Sequence, residues 1–151
     1  MIRTPVAALL LGLLGTIPFV WASLLILEMI TPRPGTLPDV LSGDGRLILV
    51  RYGGIILPFM SGVLWGFAAR AESMGQASAA FCLSVIPALW WFFMPGDGVQ
   101  SGLINLGIGF LGVLAIDYAF SRWELAPPWW MALRIQLTVV VLICLGIGIW
   151  A

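Results

Sequence analysis

Two side chains in this sequence stand out as able to do chemistry in the wrong solvent: Asp117 and Arg134, each set in a long apolar run. Charged groups inside such runs are costly and mark ion pairs, relays or ligand sites. The turn between their two runs centres near residue 125, so folding the chain there brings both to similar depth. An unpaired arginine at the centre of a spanning helix costs roughly 2.5–3.5 kcal/mol, and a facing carboxylate offsets part of that. The expectation is a structural ion pair locking two helices; the sharper alternative is a proton or anion relay. Glu28 and Arg51 form a looser candidate pair near the other surface, although Arg51 could equally extend its guanidinium to the interface.

The rest of the chemical inventory is sparse. All seven basic residues are arginine, and there is no histidine. Without lysine there is no Schiff base or P-loop lysine, and without imidazole there is no histidine ligand or acid–base pair. The seven acids are scattered over helix ends and loops. Cys82 and Cys144 stand alone in apolar surroundings and read as small packing residues. No enzyme activity, cofactor or metal is expected. Net charge is zero, so no nucleic-acid partner is expected either.

The elements that must position these residues follow from hydropathy. The 151-residue chain is 61% hydrophobic and 9% charged, with a mean hydropathy of +1.07. A soluble domain carries about 25% charged residues and could not cover this much apolar surface. The expected fold class is all-α: a polytopic membrane bundle of five transmembrane helices in a single domain. The helices are expected near 5–30, 46–69, 77–94, 100–120 and 129–150, each close to the roughly 20 residues a span needs. A polar loop, 31–45, rich in proline and glycine, separates the first two. Met1–Ala22 also mimics a signal peptide, but the apolar run continues past Ala22, so it is read as the first span.

Pro18, Pro58 and Pro87 fall inside predicted helices, and each frees a backbone carbonyl. Kinks of this kind either line a cavity or are absorbed by neighbouring helices. Gly53, Gly54, Gly62 and Gly66 give the second helix a small-residue stripe, and Gly107, Gly109 and Gly112 do the same for the fourth. Such stripes serve close helix packing within the bundle or against a partner. Asn105 and Gln136 are expected to hydrogen-bond between helices. Leu14-x-x-Ile17-Pro18-x-x-Trp21 matches Leu83-x-x-Ile86-Pro87-x-x-Trp90, and Gly62-Val63-Leu64 matches Gly112-Val113-Leu114. Either a helical hairpin has been duplicated and a fifth helix added, or two apolar segments match by chance. Trp90, Trp91, Trp123, Trp129, Trp130 and Trp150 sit at predicted helix ends, as an interfacial belt does.

The series Tyr52-Gly53-x-x-Ile56-x-x-Phe59-x-x-Gly62-x-x-Trp65-Gly66, then Ser84-Val85-x-Pro87, Asp117, Ala126-Pro127-x-Trp129, Leu133-Arg134 and Leu137-Thr138 resembles the domain-of-unknown-function 3429 family. The resemblance runs over nearly the whole chain. It implies a small multi-helix membrane protein and assigns no activity. Leu64 stands where that pattern often carries a polar or basic residue.

These features set the functional expectation. The leading one is a non-catalytic accessory or assembly subunit of a larger inner-membrane complex, respiratory or photosynthetic, acting through helix packing on lipids and other integral subunits. The alternative is a small transporter or lipid-handling protein with a proline-kinked central cavity. No arginine-rich amphipathic leader follows Arg3, so the expected address is a bacterial inner membrane. Arg3, Arg70, Arg122 and Arg134 against Arg33, Arg46 and Arg51 place the N-terminus in the cytoplasm by one charge.

Overall fold

The computed structural model describes residues 3–151. Among them are six helices: α1 (Val6–Ile26), α2 (Asp39–Ser42), α3 (Gly45–Ala68), α4 (Met74–Phe93), α5 (Val99–Arg122) and α6 (Trp130–Trp150). All but the short α2 are long and apolar enough to cross a membrane, giving five candidate spans. The fold is all-helical, and the protein is a multi-pass membrane protein.

Helix ends follow local chemistry rather than hydropathy. The apolar run that predicts a helix to residue 30 stops at Ile26, because Glu28 turns out of it with φ 55°. Helix α3 starts where the Asp44 carboxylate accepts from the Arg46 amide at 2.9 Å. Helix α4 starts three residues before the predicted 77, capped by Ser73, whose hydroxyl accepts from the Gln76 amide at 3.2 Å. Both caps satisfy donors that a helix start leaves free. The 27–44 connection is tied back to the bundle by the Trp21 indole, which donates to the Leu41 carbonyl at 2.9 Å.

Helix α3 is central, packing against α1, α4, α5 and α6, while α1–α6, α6–α5 and α5–α4 contacts close an arc around it. The core consists of Leu49, Leu57 and Leu64 from α3 meeting Leu103, Leu106, Phe110 and Val113 from α5, all fully or almost fully buried. Phe19 of α1 joins them, edge-on to Tyr52 and Phe110 with ring centroids 5.1 and 6.1 Å apart. At one end, two turns are clasped together: Arg70 Nη1 donates to the Leu125 carbonyl at 3.1 Å and Gln76 Nε2 to the Trp123 carbonyl at 3.4 Å.

The proline in α4 is accommodated locally. At Pro87 the helix ladder is interrupted, and the Ala88 amide donates across to Ser61 Oγ of α3 at 2.9 Å, one of the ways membrane helices re-satisfy backbone near a proline. Pro87 lines an apolar groove of about 120 Å³ between α4 and α5. A separate cleft of about 130 Å³ lies between α1, α3, α5 and α6, one residue beyond Pro18 at Phe19. Pro87 thus lines a different cleft from the one beside Pro18.

The glycines divide. A side chain at Gly53 would strike Leu106 at 2.8 Å, at Gly54 the Trp91 indole at 2.6 Å, and at Gly109 Leu57 at 2.6 Å, so these three permit close approach. Gly62, Gly66, Gly107 and Gly112 have open space where a Cβ would stand, and do no packing inside the bundle. Two glycines outside the predicted stripes complete the close contacts: Gly45 lies against the Ala22 carbonyl, and Gly148 against Leu49 at 2.8 Å.

Candidate functional site

The α5–α6 hairpin builds a buried polar cluster inside the bundle's apolar length. The register read from the sequence puts Asp117 and Arg134 opposite each other, and Arg134 Nε donates to Asp117 Oδ2 at 2.7 Å. Trp130, one turn before Arg134 on α6, donates its indole Nε1–H to Asp117 Oδ1 at 2.7 Å. Both carboxylate oxygens are thus engaged, and Asp117 is fully buried. The Arg134 guanidinium also lies 6.0 Å from the centroid of the Trp130 ring, within cation–π range. Asp117 lies five residues before the end of α5, or about 7–8 Å along the helix axis. The cluster therefore sits near one end of the two helices rather than at their middle.

Arg134 does not exhaust its donors on Asp117. Its Nη2 atom is buried without a hydrogen-bond partner among the described residues, and so is Thr138 Oγ1 one turn further along α6. Both residues line the 130 Å³ cleft, together with Gly15, Phe59 and Met60. In the sequence Thr138 stands out only within the Leu137-Thr138 motif, with no role attached to it, and Trp130 reads there as an interfacial residue. Their shared position depends on the rotation of α6 about its own axis, which a near-uniformly apolar helix leaves unmarked.

Other expected sites are placed differently. Glu28 and Arg51 form no ion pair: Glu28 has left the helix, and Arg51 lies exposed on the outward side of α3. The only salt bridge among the described residues is Arg134–Asp117. Asn105 does join neighbouring segments, with Nδ2 donating to the Met94 carbonyl at 3.1 Å and its backbone carbonyl accepting from the Trp90 indole at 2.8 Å. Gln136 instead faces outward from α6 and is exposed. Because Arg134 is neutralised by Asp117, the arginine count on the two sides falls level: Arg3, Arg70 and Arg122 against Arg33, Arg46 and Arg51. Cys82 and Cys144 are unpaired, the first exposed and the second buried.

The second unfilled feature is on the central helix. Arg51, Ile55, Phe59, Gly62 and Gly66 are all exposed and fall on one side of α3, at spacings of three and four residues. Gly62 is also part of the lining of a groove of about 340 Å³ between α3 and α4, walled by Trp65 and Leu89. A helix packed on four neighbours thus still presents a bare stripe.

A five-span helical bundle with a buried Asp–Arg–Trp cluster in its last hairpin defines a small polytopic membrane protein without an extramembrane domain among the described residues. The chain belongs to the family described as protein of unknown function (DUF3429), which matches over residues 4–150. It is 34% identical over 146 residues to transmembrane protein 69 of Xenopus tropicalis, covering 93% of this chain and 53% of that protein. The chain thus spans about half the length of the curated relative it matches. No solved structure matches it.

Proposed function

We propose that the protein is a non-catalytic accessory or assembly subunit of a larger inner-membrane complex, respiratory or photosynthetic, and that it works by helix contact. The observation that carries this reading is the bare stripe on α3. Gly62 and Gly66 are exposed on the central helix, and a Cβ at either would meet nothing within 4 Å. Glycine weakens a helix relative to alanine by roughly 0.5–1 kcal/mol, so glycines that no neighbour in the bundle uses favour a neighbour from outside it. Small residues let a second backbone approach where dispersion, not the hydrophobic effect, drives association. The occupant that fits is an apolar transmembrane helix of a partner subunit, seated between Trp65 and Leu89. Exposed Gln136 on α6 supports the same reading, since an amide facing lipid gains a partner when another helix covers it. The proposed setting is a bacterial inner membrane. The N-terminus is proposed to face the cytoplasm, on the side of the α3–α4 and α5–α6 turns that Arg70 and Arg122 flank.

Purification from the native membrane in a mild detergent tests the reading. A co-purifying integral membrane protein supports it; a free monomer at every detergent strength counts against it.

A lipid-handling role is the second reading, and one observation favours it: the cleft beside Phe19 contains polar atoms that the bundle itself leaves unpartnered.

A further inference from the structure

Arg134 and Thr138 are 5% and 1% exposed, and Nη2 of the first and Oγ1 of the second lack any partner among the described residues. Unsatisfied polar groups within a hydrocarbon region are costly and are rarely left so. Thr138 departs from the habit of its neighbours. Thr16, Ser23, Ser78 and Ser84 all turn their hydroxyls back onto a carbonyl of the preceding helical turn, at 2.7 to 3.0 Å. Thr138 does not, and it lines the same cleft as Arg134. The guanidinium Nη2 is a donor and the threonine hydroxyl can be one, so two unpartnered donors belong to residues that line the cleft.

The charge state narrows the occupant. Asp117 already balances Arg134, with Nε and Oδ2 2.7 Å apart. A second anion would bring an uncompensated negative charge into an apolar slab, whereas a neutral acceptor oxygen would not. Size narrows it further. The cleft is about 130 Å³, close to the roughly 150 Å³ of a cavity that accepts one benzene ring. Two large residues at its edge, Leu11 and Phe59, are 69% and 61% exposed, so the cleft opens toward the acyl chains.

We infer that this cleft binds a neutral carbonyl oxygen carried on an apolar body, with Arg134 Nη2 and Thr138 Oγ1 as the donors. Two sources offer that chemistry, the ring of a lipophilic quinone and the acyl ester of a glycerolipid. The site shares Phe59 with the α3 stripe, but its two donors stand on α6 and it does not rest on the subunit reading.

The test uses the full chain in phosphatidylcholine nanodiscs with two photoreactive probes, a diazirine-bearing decylquinone and a diazirine-acyl phosphatidylcholine. Labelled peptides are mapped by mass spectrometry. The expected result is saturable labelling of the 11–16 and 137–141 segments, by the quinone probe if the ligand is a quinone and by the lipid probe if it is an ester. Thr138→Val, which is nearly isosteric, should weaken that labelling about fivefold to tenfold, the effect of one hydrogen bond. Gly15→Leu should abolish it, because a Cβ at Gly15 meets nothing within 4 Å and the side chain fills the cleft. Melting midpoints report whether each variant is folded, and Thr138→Val decides if Gly15→Leu is not. Unsaturable labelling spread over all lipid-facing helices, or saturable labelling unchanged by Thr138→Val, would overturn the site and leave water as the partner of both donors. Loss of a co-purifying subunit with these labelling results intact would separate failure of the subunit reading from failure of this one.

Discussion

Replacing Asp117 by asparagine should destabilise the bundle through a specific donor conflict. The carboxylate is fully buried, and each of its oxygens takes one donor at 2.7 Å, from Trp130 Nε1 and Arg134 Nε. Asparagine offers one oxygen and one NH₂ group in the same space. One donor keeps its acceptor, while the other faces a second donor. Arg134 also loses its counter-charge in a region only 5% exposed. Hydrogen bonds to charged groups contribute about 1.5–3 kcal/mol each, and removing one partner of a buried ion pair costs about 3–5 kcal/mol. Polar contacts measured between membrane helices fall toward the low end of such ranges, so about 3 kcal/mol is expected for Asp117→Asn. Unfolding in mixed micelles, followed by tryptophan fluorescence, measures it. Arg134→Gln alone should cost about 2–3 kcal/mol. The double variant should lose no more than about 1 kcal/mol beyond Asp117→Asn, because the second change removes an interaction already broken. Losses that add to within about 0.5 kcal/mol would refute the coupling and leave the ion pair as proximity without consequence.

Other variants probe neighbouring parts of the account. Thr138→Val should raise stability in ligand-free detergent by about 1 kcal/mol, since it removes a buried hydroxyl that has no partner; a lower melting midpoint would show that the hydroxyl is satisfied. Ser61→Ala should cost about 1–3 kcal/mol by stranding the Ala88 amide beside Pro87, and amide exchange at Ala88 should quicken. Gly54→Ala should destabilise by about 1–3 kcal/mol because the new methyl group meets the Trp91 ring, whereas Gly66→Ala should leave the isolated protein's melting midpoint unchanged or slightly higher. Equal effects at the two glycines would undo the division between packing and outward glycines.

Much of this was legible in residue order. The five spans follow from apolar length alone, and the Asp117–Arg134 contact follows from equal distances to a turn. What was not legible depended on rotation about helix axes and on caps. Leu27, Met29 and Ile30 extend the hydropathy of α1, yet the chain leaves the helix at Glu28, which also takes Glu28 away from Arg51. Ser73 looks like a loop residue until its hydroxyl is seen capping α4. The glycine stripes were visible, but not which of them a neighbour fills; Gly45 and Gly148 do close packing without belonging to any stripe. The inward placement of Trp130 and Thr138 was hidden for the same reason, since a helix apolar on nearly every side gives no sign of the face it turns inward.

The central claim, that the bare face of α3 is covered by another protein's helix, is tested most directly by photocrosslinking in the native membrane. A benzoyl-phenylalanine placed at Trp65, exposed at the wall of the groove beside Gly62, should give a discrete adduct with one partner polypeptide, and the same group at Leu111, exposed on α5, should give only lipid adducts. Lipid adducts alone at both positions would contradict the claim.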